Sequence, residues 1–130
     1  VPQVAGVTSE HHNLSHHGKD PDKIAQLKTI ESELVDCFSD LLVQMKGKKE
    51  ANGSLLDNTM TLFGSNLGNA NAHDPRNLPI LLAGGGYQHG RYVAYDKSNN
   101  TPLCNLFVSM LNRMDIETDS FATSSGGLTW

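Results

Sequence analysis

The feature that most constrains this chain is a long apolar stripe: Ile24, Leu27, Ile30, Leu34, Phe38, Leu41 and Met45 recur at intervals of three and four. That spacing places all seven on one face of a helix. Asp20-Pro21 supplies an N-cap followed by proline at the first helical position, and Gly47 offers a stop. The pattern predicts a helix over 20–46 that must lay its stripe against a core. A chain of 130 residues with 38% hydrophobic content has enough apolar material for one core of ordinary size. Asn52-Gly53 marks the turn that follows.

Beyond the turn, Thr59-Met60-Thr61-Leu62-Phe63 is β-prone, and Leu78-Pro79-Ile80-Leu81-Leu82-Ala83 is a short apolar run closed by Gly84-Gly85-Gly86. Continuous apolar character over so few residues suits strands covered on both faces, as in a parallel sheet between helices. Arg91-Tyr92-Val93-Ala94-Tyr95 is a third, weaker strand signal. Thr101-Pro102 repeats the cap-plus-proline start, and Leu103, Leu106, Phe107, Met110, Leu111 and Met114 form a second amphipathic pattern, predicting a helix over 101–114. Helices and strands in this order predict an α/β sandwich with a mostly parallel sheet flanked by helices. Two or three strands make a small sheet. The chain opens Val1-Pro2-Gln3-Val4 without an initiator Met, and the expectation is either a single domain over 1–130 or a C-terminal piece whose sheet takes further strands from upstream sequence or another chain.

Charge narrows the function classes. A net charge of -4 and a pI near 5.8 oppose phosphate-backbone binding, which needs clustered Lys and Arg to displace counterions. The run Lys46-Gly47-Lys48-Lys49 is answered by Glu50 and reads as a solvated helix end near the negative pole of its dipole. Cys37 and Cys104 are too few for a disulfide scaffold and lack zinc-like spacing, so each reads as a small core residue. No stretch approaches the roughly 18 apolar residues that cross a bilayer, and the opening residues do not read as a charged-then-apolar leader.

Chemistry concentrates in residues 1–19, an otherwise irregular segment holding four of the six histidines. In His11-His12-Asn13-Leu14-Ser15-His16-His17 the pairs are spaced four apart, so one helical turn brings His12 and His16 to the same face. Neutral imidazoles are good donors to zinc and similar divalent ions, and two from one turn plus a third from a distant loop make an open site. The alternative is that these histidines hydrogen-bond and cap the following helix; an affinity tag fits poorly, because Asn13-Leu14-Ser15 interrupts the run. The loop from Gly64 to Asp74 follows the carboxyl end of the first predicted strand, where open α/β sheets place ligands. Its His73-Asp74 offers the third imidazole with a carboxylate as outer partner or direct ligand; the other reading is a turn-rich surface loop with a stray histidine. Gly84-Gly85-Gly86 lacks the spacing of a phosphate or dinucleotide loop and reads as a tight turn, as does His89.

The string His12-Asn13-Leu14-Ser15-His16-His17 resembles the HxxSHH signature of a bacterial domain family of unknown function named for it. The likeness continues through Leu55-Leu56-Asp57-Asn58-Thr59, Gly64-Ser65, Ala72-His73-Asp74, Asn77 to Gly84 and Thr101-Pro102-Leu103, nearly the whole chain. That family is in turn similar to the C-terminal part of the alkaline phosphatase and sulfatase superfamily, an α/β sandwich whose members hydrolyse phosphate or sulfate esters with one or two metal ions.

The resemblance implies one divalent metal, zinc first, held by His12, His16 and His73, with His17 and Asp74 as outer partners or alternate ligands. It also implies a small anionic ester as substrate and a periplasmic or extracellular location. The superfamily's second metal uses an Asp-His pair that falls here at Asn66-Leu67, and leucine cannot bind a metal, so a two-metal mechanism is in doubt. The superfamily's nucleophile would lie upstream of Val1. Ser15, between histidines, has no acid placed to orient a histidine base, and no catalytic residue is assigned. A non-catalytic metal-binding or structural module that has lost the second metal is the rival reading.

Overall fold

A computed structural model describes residues 1–128. After an extended start, the chain forms a one-turn helix α1 (His11–Ser15), turns through Gly18 and Lys19, both with positive φ, and enters helix α2 (Pro21–Gly47). The Asp20 carboxylate accepts from the Asp22 and Lys23 amides at 2.9 and 3.4 Å, satisfying two donors that a helix start leaves orphaned. A tight hairpin, β1 (Lys49–Glu50) with β2 (Gly53–Ser54), follows around Asn52. Then come β3 (Met60–Gly64), β4 (Ile80–Gly84) and helix α3 (Cys104–Arg113). No described helix is long and apolar enough to cross a membrane.

Helix and strand are mixed as expected, but β3 and β4 pair antiparallel, Met60 opposite Gly84 and Gly64 opposite Ile80. The reason lies in the connection. A parallel crossover needs a dozen or more residues, usually carrying a helix, whereas 65–79 contains only the 3₁₀ turn Ala70–Ala72 and folds back on itself, its ends joined by Ser65 N–H donating to the Pro79 carbonyl at 3.2 Å. A mostly parallel sheet is therefore not built within the described residues, where each sheet has two strands. The weak signal at 91–95 forms no strand, and every residue of it is exposed. The second helix starts later than Thr101-Pro102 suggested: Asn105 and Leu106 amides close tight turns onto the Pro102 and Leu103 carbonyls, so the α-helical register begins only at Cys104.

The core sits at the α1–α2 junction, where Leu14, fully buried, packs with Val7 and Ile30, flanked by Val4 and Leu27. Along the middle of α2 the stripe is poorly covered. Phe38 stacks on Phe63 of β3 with centroids 5.1 Å apart and Met45 is buried, yet Leu34 and Leu41 are each 45% exposed. Cys37 is exposed and Cys104 half-buried, so neither is a core residue: Cys37 falls on the uncovered side of α2, and Cys104 opens α3. The chain exposes 9263 Å², whereas a compact monomer of its mass would expose about 6,700 Å².

Candidate metal centre

Leu14 fixes the site. Burying its side chain anchors a five-residue helix too short to persist alone, and the fixed turn sets His12 and His16 edge to face, ring centroids 4.8 Å apart and planes at 72°. Asn13 adds a second tie, its amide donating to Ser9 Oγ at 2.8 Å and its carbonyl oxygen accepting from Lys23 Nζ on α2 at 3.2 Å.

The third imidazole arrives from the 65–79 loop. Asn69 caps the 3₁₀ turn through the Ala72 amide, and His73 follows in the left-handed region at φ 51°. Amides of Gly68 and Asn69 both donate to the Asp74 carbonyl, folding the loop flat. Gly68 is required there, because a Cβ would collide with the Arg76 carbonyl oxygen. The loop docks through Gly18 N–H donating to Asn71 Oδ1 at 2.8 Å. His73 then lies against His16, centroids 4.7 Å apart at 73°. His16 is thus the middle of three imidazoles from segments more than fifty residues apart in sequence. Its half-buried position, and then the neighbouring charges of His12, His73, His17 and Lys23, hold its pKa below the ordinary 6.5, favouring the neutral form that ligates metals.

The two outer residues are committed elsewhere. Lys19 N–H donates to His17 Nδ1 at 3.0 Å, leaving Nε2 as the protonated nitrogen of the neutral ring and not a donor lone pair. Asp74 faces Arg76: Nε donates to Oδ1 at 2.8 Å, the terminal nitrogen to Oδ2 at 2.9 Å, and the Arg76 amide to Oδ1 at 3.0 Å. That clasp holds its carboxyl down at about 2. Ser15 Oγ donates to the His12 carbonyl at 2.8 Å, so its hydroxyl proton points away from any histidine base. Leu67, at the second metal's expected place, is half-buried.

In a tetrahedral site with metal–nitrogen bonds of about 2.0–2.1 Å, imidazole centroids fall roughly 5 Å apart, a figure that the His12–His16 and His16–His73 spacings fit. The donor atoms as they stand do not converge: among the described residues, no three His, Cys, Asp or Glu side chains form a group arranged to hold a metal. Capture by His12, His16 and His73 therefore requires the rings to turn. Asn71 and Arg76 escaped the reading of the sequence. For Arg76 there was a signal, since Asp74-Pro75 starts a turn in which an Asp side chain takes the amide two residues on; Asn71, which works across the fold, left none.

No protein-family profile, curated protein or solved structure matches the chain.

Proposed function

We propose that this chain is a metal-binding region of an HxxSHH-type domain resembling the C-terminal part of the alkaline phosphatase and sulfatase superfamily, with His12, His16 and His73 holding one divalent ion, zinc first. The observation that carries the reading is the central position of His16, an imidazole set between two others that disfavour its charged form. When bound, such an ion stabilises an ester oxygen and lowers the pKa of a water, the chemistry of phosphate or sulfate ester hydrolysis. The chain's own groups supply positioning. Leu14 holds the His12/His16 turn, the Gly18–Asn71 bond presents His73, and Arg76 keeps Asp74 ionised beside the open depression that His73 lines. His17 joins only by giving up the Lys19 amide. The uncovered middle of the α2 stripe and the two-stranded sheet favour a domain completed by upstream strands of the same protein, and a periplasmic or extracellular location is what the resemblance implies. Cobalt(II) titrated into the metal-free chain tests the ligand set: the visible bands of a tetrahedral nitrogen site should appear at one equivalent and vanish in His16→Ala. Unchanged bands in that variant would remove His16 from the site.

A second reading, a non-catalytic metal-binding or structural module, is favoured by Leu67 at the second metal's position and by the engagement of Ser15 Oγ with backbone. Turnover of aryl phosphates or aryl sulfates by protein loaded with zinc, manganese or iron decides between them, activity supporting the hydrolase and clean inactivity the module.

A further inference from the structure

The opposite end of the β3–β4 pair holds a second group of charged side chains. The strands run about 13 Å from the Gly64–Ile80 end, which leads into the histidine loop, to the Met60–Gly84 end. At that far end a cleft of about 370 Å³ opens between the last turn of α2, the β1–β2 hairpin and the turn after β4. Its size matches the lower end of small-ligand sites.

Lys46 and Lys49 line it from one side, Tyr87 and His89 from the other. Asp57 is the carboxylate on its wall, and one of its oxygens already accepts the Ser54 amide and hydroxyl, both at 2.8 Å. Among the described residues, neither lysine is ion-paired. Both sit close enough to Asp57 to help hold its carboxyl below the usual range, after the larger effect of the Ser54 hydrogen bonds. Among the side chains that line the cleft, two ammonium groups face one carboxylate, in a chain whose net charge is -4.

The far wall is built of backbone. Gly84, Gly85 and Gly86 all have φ between 61° and 79°; Gly84 is buried and the Gly85 amide donates to the Leu56 carbonyl at 3.0 Å, so Gly86 is the main chain this turn exposes to the cleft. Arg113 fixes it from behind, donating from Nε to the Gly85 carbonyl at 3.0 Å and from its terminal nitrogen to the Gly86 carbonyl at 2.6 Å. Its guanidinium also lies 5.3 Å from the centre of the Tyr87 ring. His89 Nε2 holds the Gly84 amide at 3.0 Å.

We propose that this cleft binds a small tetrahedral oxyanion, phosphate or the phosphoryl or sulfuryl head of a small ester, between Lys46 and Lys49 and the exposed main chain of Gly86. The site shares no residue with the histidine centre and stands or falls without it.

The test is a titration of inorganic phosphate, and separately sulfate, into the ¹⁵N-labelled chain in chelator at constant ionic strength. Saturable amide shifts are expected at Ser54, Gly86, Tyr87 and His89, with the dissociation constant raised at least about tenfold in Lys46→Gln/Lys49→Gln, because charge-assisted hydrogen bonds are lost. Lys46→Arg/Lys49→Arg should restore binding. Both lysines are exposed, so the spectra of the variants should remain folded, and loss of binding then reports the site. Shifts that an equal concentration of chloride reproduces, shifts confined to His12, His16 and His73, or equal affinity in the glutamine variant would each overturn the assignment. Saturation by phosphate alone, with sulfate inert, would narrow the ligand to phosphoryl groups.

Discussion

The start and the middle of α2 carry the same pattern and meet different fates. Near the start, Leu27 and Ile30 lie against Val4, Val7 and the fully buried Leu14. About one and three turns beyond Ile30, Leu34 and Leu41 continue the spacing and stay 45% exposed. The first stretch is covered by the segment immediately before it in the chain, where loop closure is short and its entropy cost small. The second needs a cover from elsewhere, and the β3–β4 pair reaches the stripe only at Phe38, stacked on Phe63, and at the buried Met45, whose sulfur accepts from Thr61 Oγ1 at 3.8 Å. Periodicity names the face a helix must bury but not what buries it. The histidines ride on the covered start, so their geometry inherits its rigidity.

The largest effect should separate these two stretches. Leu14→Ala leaves a cavity at the buried junction and is expected to cost about 2–5 kcal/mol in urea unfolding, whereas Leu41→Ala should cost about 1 kcal/mol or less. Equal losses would mean that α2 is covered along its whole length in solution. Extending the chain upstream should raise the Leu41→Ala cost towards the Leu14→Ala value if missing strands complete the sheet.

Next in size is the tie between the histidine turn and the loop. Asn71→Ala removes the acceptor for the Gly18 amide and should cost about 1 kcal/mol, with loss of the proton contacts between His16 and His73 in NOE spectra while those between His12 and His16 persist. Persistence of both sets would show that the loop docks by other means. The smallest effect lies at the far end. The Asp57 carboxyl is held below its ordinary 3.8 by the Ser54 hydrogen bonds. As pH falls, the unfolded chain takes up this proton first, so the stabilisation is full above about 3.8 and is lost as pH drops through the folded value. Asp57→Asn should flatten that part of the acid limb of a thermal-stability profile. An unaltered limb would place the acid sensitivity elsewhere.

Much of this arrangement was legible in the residues, for identifiable reasons. Helix α2 announces itself because Asp20, Pro21 and a strict apolar spacing agree, and it runs Pro21–Gly47 against an expected 20–46. The strand positions follow from apolar runs ended by glycine, but their antiparallel pairing depends on the lack of a crossover helix in 65–79, which composition alone did not settle. Thr101-Pro102 imitates a helix start and is instead the tight turn before one. For the candidate site, an i, i+4 spacing places His12 beside His16, whereas the approach of His73 depends on Gly68 and Asn71, whose roles appear only in the folded loop. Asp74 carried the most appealing carboxylate in the sequence, and Arg76 two residues later claims it.

The most direct test is the metal content of untagged protein, by plasma mass spectrometry after dialysis against metal-free buffer and reloading with zinc. The account predicts about one equivalent in the parent chain and none in His12→Ala/His16→Ala. No metal in either protein, or an undiminished equivalent in the variant, would contradict the assignment of His12, His16 and His73 as a metal centre.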